Sequence, residues 1–181
     1  DDLSKQFDRR QGLSIGDMKR NMRDIVMSYA TIEREKKELV KVGIVGEIYI
    51  KYSPLGNNNL EKFLAEQECE VKLPGMMGFM LYCIYNGVED VKLYGGGWAK
   101  KQLMGFVYSL VLKLEKMTID AIRTYSDFEV PGSFPEMKEG AEKIIGLGAK
   151  MGEGWLLTGE MVELSKSGFK NIICTQPFGC L

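Results

Sequence analysis

Glutamates, asparagines and cysteines at the ends of apolar runs carry what chemistry this sequence offers, because it contains no histidine. That excludes Ser-His-Asp and Cys-His catalysis, His-ligated zinc and an imidazole acid or base near neutral pH. Acid–base work then falls to carboxylates. Glu47 sits inside the β-branched run KVGIVGEIYI at 41–50, so its charge must be paired or lie at the exposed end of a strand. Tyr49, Tyr52 and Asn57, Asn58 and Asn59 lie on or just past that end, where open α/β sheets bind ligands. The same residues have a plainer use, with Glu47 serving loop backbone donors and Asn58 or Asn59 capping a helix. Of the four cysteines, Cys69, Cys83, Cys174 and Cys180, none forms C-x-x-C, and free thiols are expected. Cys180 ends Gln176-Pro177-Phe178-Gly179-Cys180, a turn after a strand, and a thiol so placed suits a metal or cluster. Cys174 reads as a small core residue, and Cys69 and Cys83 as structural. No P-loop is present, and Gly146-Leu147-Gly148-Ala149-Lys150-Met151-Gly152 misses the dinucleotide spacing and follows a helix rather than a strand. Gly95 to Gly97 reads as a flexible turn.

The elements that must position these groups follow from periodicity. Met18, Met22, Ile25, Tyr29 and Ile32 predict a helix over 15–38, capped by Ser14 or Asp17 and ending in the mixed-charge run 33–38. Residues 41–50 predict a strand buried on both faces. Leu60, Phe63 and Leu64 mark the inner side of a short helix, and Glu70–Pro74 a second strand, which completes a βαβ unit. The Met- and aromatic-rich stretch 75–93 predicts a buried helix, with a ligand-facing Met-rich wall as the alternative. A long helix through Leu103 and Met117, another over 136–147, and one capped by Thr158 and ended by Gly168 follow. Residues 171–176 predict a third buried strand. The expected fold is α/β: a three-layer, flavodoxin-like domain with a small parallel sheet. Residues 1–39 form an N-terminal helical extension and 40–181 the α/β domain, with a large helical insertion at about 75–150.

The chain has 181 residues, 45% hydrophobic and 27% charged, with a net charge of −1. That balance sets aside nucleic acid and membrane as expected partners in bulk, while leaving a local patch open. No apolar run is long enough to cross a bilayer, and the first residues lack the apolar core of a signal peptide, so a cytoplasmic location is expected.

Four blocks together resemble a known family: KVGIVGEIYIKYSPLGNNN (Lys41–Asn59), Glu70–Pro74, GWLLTGEM (Gly154–Met161) and NIICTQPFGCL (Asn171–Leu181). They are similar to the 2-hydroxyacyl-CoA dehydratase superfamily, in particular its large CoA-substrate-specific enzyme activase-related (acyl-CoA dehydratase activase-related) branch from anaerobic bacteria. The resemblance spans roughly residues 40–181 and keeps the order of the blocks. It implies ATP-driven, one-electron activation of an iron–sulfur protein that removes water from a 2-hydroxyacyl-CoA. The matched region is dehydratase-like only. It implies a [4Fe–4S] cluster in a longer parent, with Cys180 as one ligand and Glu47, Tyr49, Asn57, Asn58 and Gln176 near the cluster or CoA site. Expected partners are the parent's other domains, including ATPase modules, and an acyl-CoA. The family motif runs on to Pro-Asn-His, whereas this sequence stops at Leu181 and starts without Met, so an excised domain, inactive and without cluster by itself, is expected. Two other readings stand beside it: a non-catalytic scaffold that docks the ATPase modules, and a flavodoxin-like flavin binder.

Overall fold

The computed structural model describes residues 2–9, 11–35 and 37–180, which form eight α-helices and one three-stranded parallel sheet. In chain order the elements are α1 (Asp2–Asp8), α2 (Ile15–Ala30), β1 (Val40–Gly46), α3 (Ile48–Tyr52), α4 (Leu60–Glu66), β2 (Cys69–Lys72), α5 (Met76–Tyr94), α6 (Trp98–Tyr125), α7 (Phe134–Glu142), α8 (Gly154–Lys166) and β3 (Asn171–Thr175). They fall into two units, a helical one of Asp1–Lys36 with Val111–Ser133 and a sheet-containing one of Lys37–Leu110 with Phe134–Leu181.

In the helical unit the Ser14 hydroxyl caps α2, accepting from the Asp17 N–H at 3.1 Å. α2 stops at Ala30, short of the expected 38. Ile25, Tyr29 and Ile32 of the expected stripe are exposed while Val26 is buried, so among the described residues the stripe lacks the packing that would extend the helix. Arg34 instead leaves the helix and pairs with Asp127 at 2.5 Å, its guanidinium over the Phe128 ring.

The sheet-containing unit is built on β1. Strand order is β2-β1-β3, and both pairings are parallel. β1 is therefore the strand without an edge, and its residues Val42 to Gly46 are all buried. Val42 and Ile44 pack with Leu64 of α4 on one face. Val45 packs with Leu157 and Leu164 of α8 and with Phe169 on the other. These are the three layers: helix, sheet, helix. Gly43 permits the α8 contact, since a Cβ there would stand 2.7 Å from a Leu164 methyl.

Several expectations are corrected. β1 ends at Gly46, four residues early, and Ile48–Tyr52 turn into a helix. β3 is an edge strand, not a buried one; Cys174 on it is exposed rather than in the core. Phe63 points outward, leaving Leu60 and Leu64 as the inner side of α4. α7 covers Phe134–Glu142 rather than 136–147, and α8 starts at Gly154, so Thr158 lies inside it. α5 buries Leu81 and Tyr82 but leaves Met76 and Met80 half exposed. Among the described residues, no helix is long and apolar enough to cross a membrane.

A candidate functional site at the end of the central strand

Two backbone segments meet where β1 ends. Gly46 takes φ +149°, and a Cβ on it would fall 1.9 Å from the Thr175 carbonyl oxygen. The next residue, Glu47, donates its N–H to that same oxygen at 3.0 Å, and Thr175 Oγ1 donates to the Val45 carbonyl at 3.2 Å. The Glu47 loop and the Gln176–Cys180 turn thus leave one edge of the sheet side by side. This follows from β1 and β3 being neighbours, with Gly46 opposite Thr175.

Glu47 sits on the first turn of α3 as its cap, accepting from the Ile50 N–H at 2.9 Å. Its charge is answered by a backbone donor, as an N-cap requires. The Ile48 N–H goes to a second carboxylate, Glu153 Oε1, at 3.2 Å. Two donors that a phosphate or other anion would need at this turn are therefore held by carboxylates.

Below α3 lies a group that its sequence context hides. Lys51 Nζ donates to both oxygens of Glu160, at 2.9 and 3.1 Å, and both side chains are about 2% exposed. The pair joins α3 to α8. Burial, partly offset by Lys51, pushes the Glu160 carboxyl up to about 7. Glu153 and Glu163 add to the upward shift. The neighbouring Tyr52 is pushed up to about 12 by burial and by the Glu160 charge, and its hydroxyl donates to the Pro74 carbonyl. Burial and Glu160 also raise the Cys174 thiol.

Glu153 is presented by a tightly held loop. It adopts φ +54°, and the Trp155 N–H closes back onto the Ala149 carbonyl at 2.6 Å. A Cβ at Gly154 would stand 2.0 Å from that carbonyl oxygen. Tyr82 fixes the loop from α5 by donating to the Lys150 carbonyl at 2.6 Å. Trp155, wholly buried, donates to Asn86 Oδ1 at 3.1 Å and packs against Tyr82 at 4.9 Å and Phe134 at 5.8 Å between ring centroids.

Asn59 is the N-cap of α4 as expected, but by its backbone: its carbonyl accepts from the Phe63 N–H at 2.9 Å and its side chain makes no cap bond. Asn57 supplies the side-chain bond, its Oδ1 accepting from the Leu60 N–H at 3.1 Å while its amide donates to the Ile50 and Lys51 carbonyls. Asn58 and Asn59 take left-handed backbone at φ +55°, and Asn58 is exposed. Tyr49 is exposed and Gln176 is half-buried. Cys180 is exposed on a turn closed by its own N–H to the Pro177 carbonyl at 3.2 Å, with Gly179 at φ +74°.

Glu47, Asn57 and the Gln176–Cys180 turn are thereby brought to one edge, the first two holding backbone rather than pointing free groups outward. Lys51 and Glu153 were missed in the sequence. Their one signal is a charge within a stretch of apolar and glycine residues, IYIKY for Lys51 and MGEGW for Glu153. Among the described residues, no three of His, Cys, Asp and Glu gather closely enough to hold a metal ion.

Comparisons with protein-family models, with curated proteins and with solved structures find no match to the chain.

Proposed function

We propose that this chain is an α/β domain, flavodoxin-like in its layering, of an iron–sulfur, ATP-activated 2-hydroxyacyl-CoA dehydratase or activase-like protein. One observation supports the reading: the two motif blocks that carry the resemblance, Glu47–Asn59 and Gln176–Cys180, leave the same edge of the sheet, and the Glu47 N–H ties them together at Thr175. Cys180 fits as one thiolate of a shared cluster because it is exposed on a tight turn. In this reading a [4Fe–4S] cluster supplies one-electron chemistry when bound, and this chain's residues position and shield it. The Glu47 and Glu153 carboxylates close the start of α3 to anions. In this reading a phosphate-bearing ligand, whether a flavin nucleotide or a CoA, does not sit on that turn. This disfavours the flavin-binding alternative, which needs those donors.

The test is iron and acid-labile sulfide in the full-length parent, purified without oxygen, as wild type and as Cys180→Ala. Loss of iron with an unchanged circular dichroism spectrum supports Cys180 as a ligand. Unchanged iron in Cys180→Ala removes it and leaves a docking or scaffold role for this domain.

A further inference from the structure

The first three turns of α6 are apolar on the side that a soluble helix keeps polar. Tyr108 faces inward, 5.3 Å from Tyr85 and 6.1 Å from Phe134 between ring centroids. At 100° per residue, Ala99, Leu103, Phe106 and Leu110 lie on the opposite side. Leu103, Phe106 and Leu110 are 63%, 70% and 51% exposed. Trp98 opens the helix and Tyr94 closes α5 just before it, 75% and 71% exposed. The charges along this stretch of sequence have one sign. From Val91 to Leu114 the sequence holds Lys92, Lys100, Lys101 and Lys113 and no Asp or Glu, in a chain whose overall charge is −1. Lys92 pairs with Glu89. Among the described residues, Lys100, Lys101 and Lys113 form no ion pair. Lys113 and Lys100 flank the stripe, one on either side.

Charge decides what covers such a face. A second copy packed stripe to stripe would bring lysines against lysines. A protein interface favours arginine over lysine at its core, and residues 37–110 and 134–181 contain no arginine. Lysines beside a Leu/Phe stripe, with Trp and Tyr at one end, match a different surface: lipid, with aromatic rings at headgroup level and ammonium groups among anionic phosphates. We propose that this face of α6, with Tyr94 and Trp98, lies on an anionic lipid surface. The stripe from Leu103 to Leu110 is about 10 Å long, so insertion is shallow and reversible and weakens as salt screens the lysines.

The experiment is flotation of the whole protein with vesicles of phosphatidylcholine alone and of an equimolar phosphatidylcholine–phosphatidylglycerol mixture, followed through Trp98 fluorescence. The expected result is binding about ten-fold or more tighter to the anionic vesicles, with a blue shift of Trp98 that Trp98→Phe abolishes. Phe106→Ser with Leu110→Ser removes binding, and Lys100→Glu weakens the preference for anionic lipid. These side chains are exposed, so both variants keep the wild-type circular dichroism spectrum. Absence of binding, equal binding to both vesicles, or retention by the Phe106→Ser, Leu110→Ser variant overturns the proposal. So does a concentration-dependent dimer that this variant breaks, which would make a second copy the occupant.

Discussion

The Lys51–Glu160 pair sets the strongest constraint on any single position. Each charge is tolerated in the interior because the other is there, and removing one leaves the other buried without compensation. Lys51→Met is expected to cost about 3–5 kcal/mol, and Lys51→Met with Glu160→Met to recover most of it, read from urea midpoints. The carboxyl also makes stability depend on pH. Its folded-state value, about 7, lies above its ordinary 4.5, so folding takes up a proton between the two. The stabilisation is complete below about 4.5 and fades as pH rises through about 7. The groups facing it are Lys51 and Tyr52 on α3, Glu153 in the preceding loop, Glu163 on α8 and Cys174 on β3. Wild-type urea midpoints should fall from pH about 5 to about 8, and Glu160→Gln should flatten that fall. A fall of equal size in Glu160→Gln would place the titrating group elsewhere.

At the scale of elements, the junction of β1 and β3 has the least tolerance for change. Gly46→Ala puts a methyl into the Thr175 carbonyl, a backbone atom that can move only if the two strands part. The expected loss exceeds about 3 kcal/mol, and chemical denaturation measures it. Gly95→Ala is the contrast: nothing lies within 4 Å of the added Cβ, and the cost, about 1–3 kcal/mol, comes only from its backbone, φ +79° and ψ 170°, which favours glycine. The sequence announced β1, β2, β3 and most helices through their periodicity and β-branched runs. It did not announce where β1 stops, because Ile48, Tyr49 and Ile50 favour strand in isolation, and the turn into α3 depends on a long-range bond from Glu47 to Thr175. Cys174 was misread for a related reason: NIICT reads as a core strand, but an edge position leaves its outer side uncovered. At the site, Glu47 and Cys180 were legible from their places at strand ends. Lys51 and Glu153 were not, because what makes them notable is a partner about a hundred residues away.

For the molecule as a whole, the two tryptophans report on one unit only. Trp155 is wholly buried in the aromatic cluster and Trp98 is exposed, and both belong to the sheet-containing unit. Trp98→Phe should leave a blue-shifted emission that acrylamide quenches poorly, whereas Trp155→Ala should cost about 3–5 kcal/mol. Emission near that of free indole in Trp98→Phe would show that the cluster does not exclude water. The placing of β1 has a further consequence, in time rather than space. The Asn171 side chain bonds the Lys41 carbonyl from 130 positions away, and the strand pair around it closes over the same separation. On a ribosome adding about 5–20 residues per second, the middle strand waits on the order of 10 s for its second neighbour. Val42 and Ile44 can meet Leu64 and Val71 early, but throughout that interval Val45 lacks Leu157, Leu164 and Phe169, so nascent chains should engage chaperones through this side of β1.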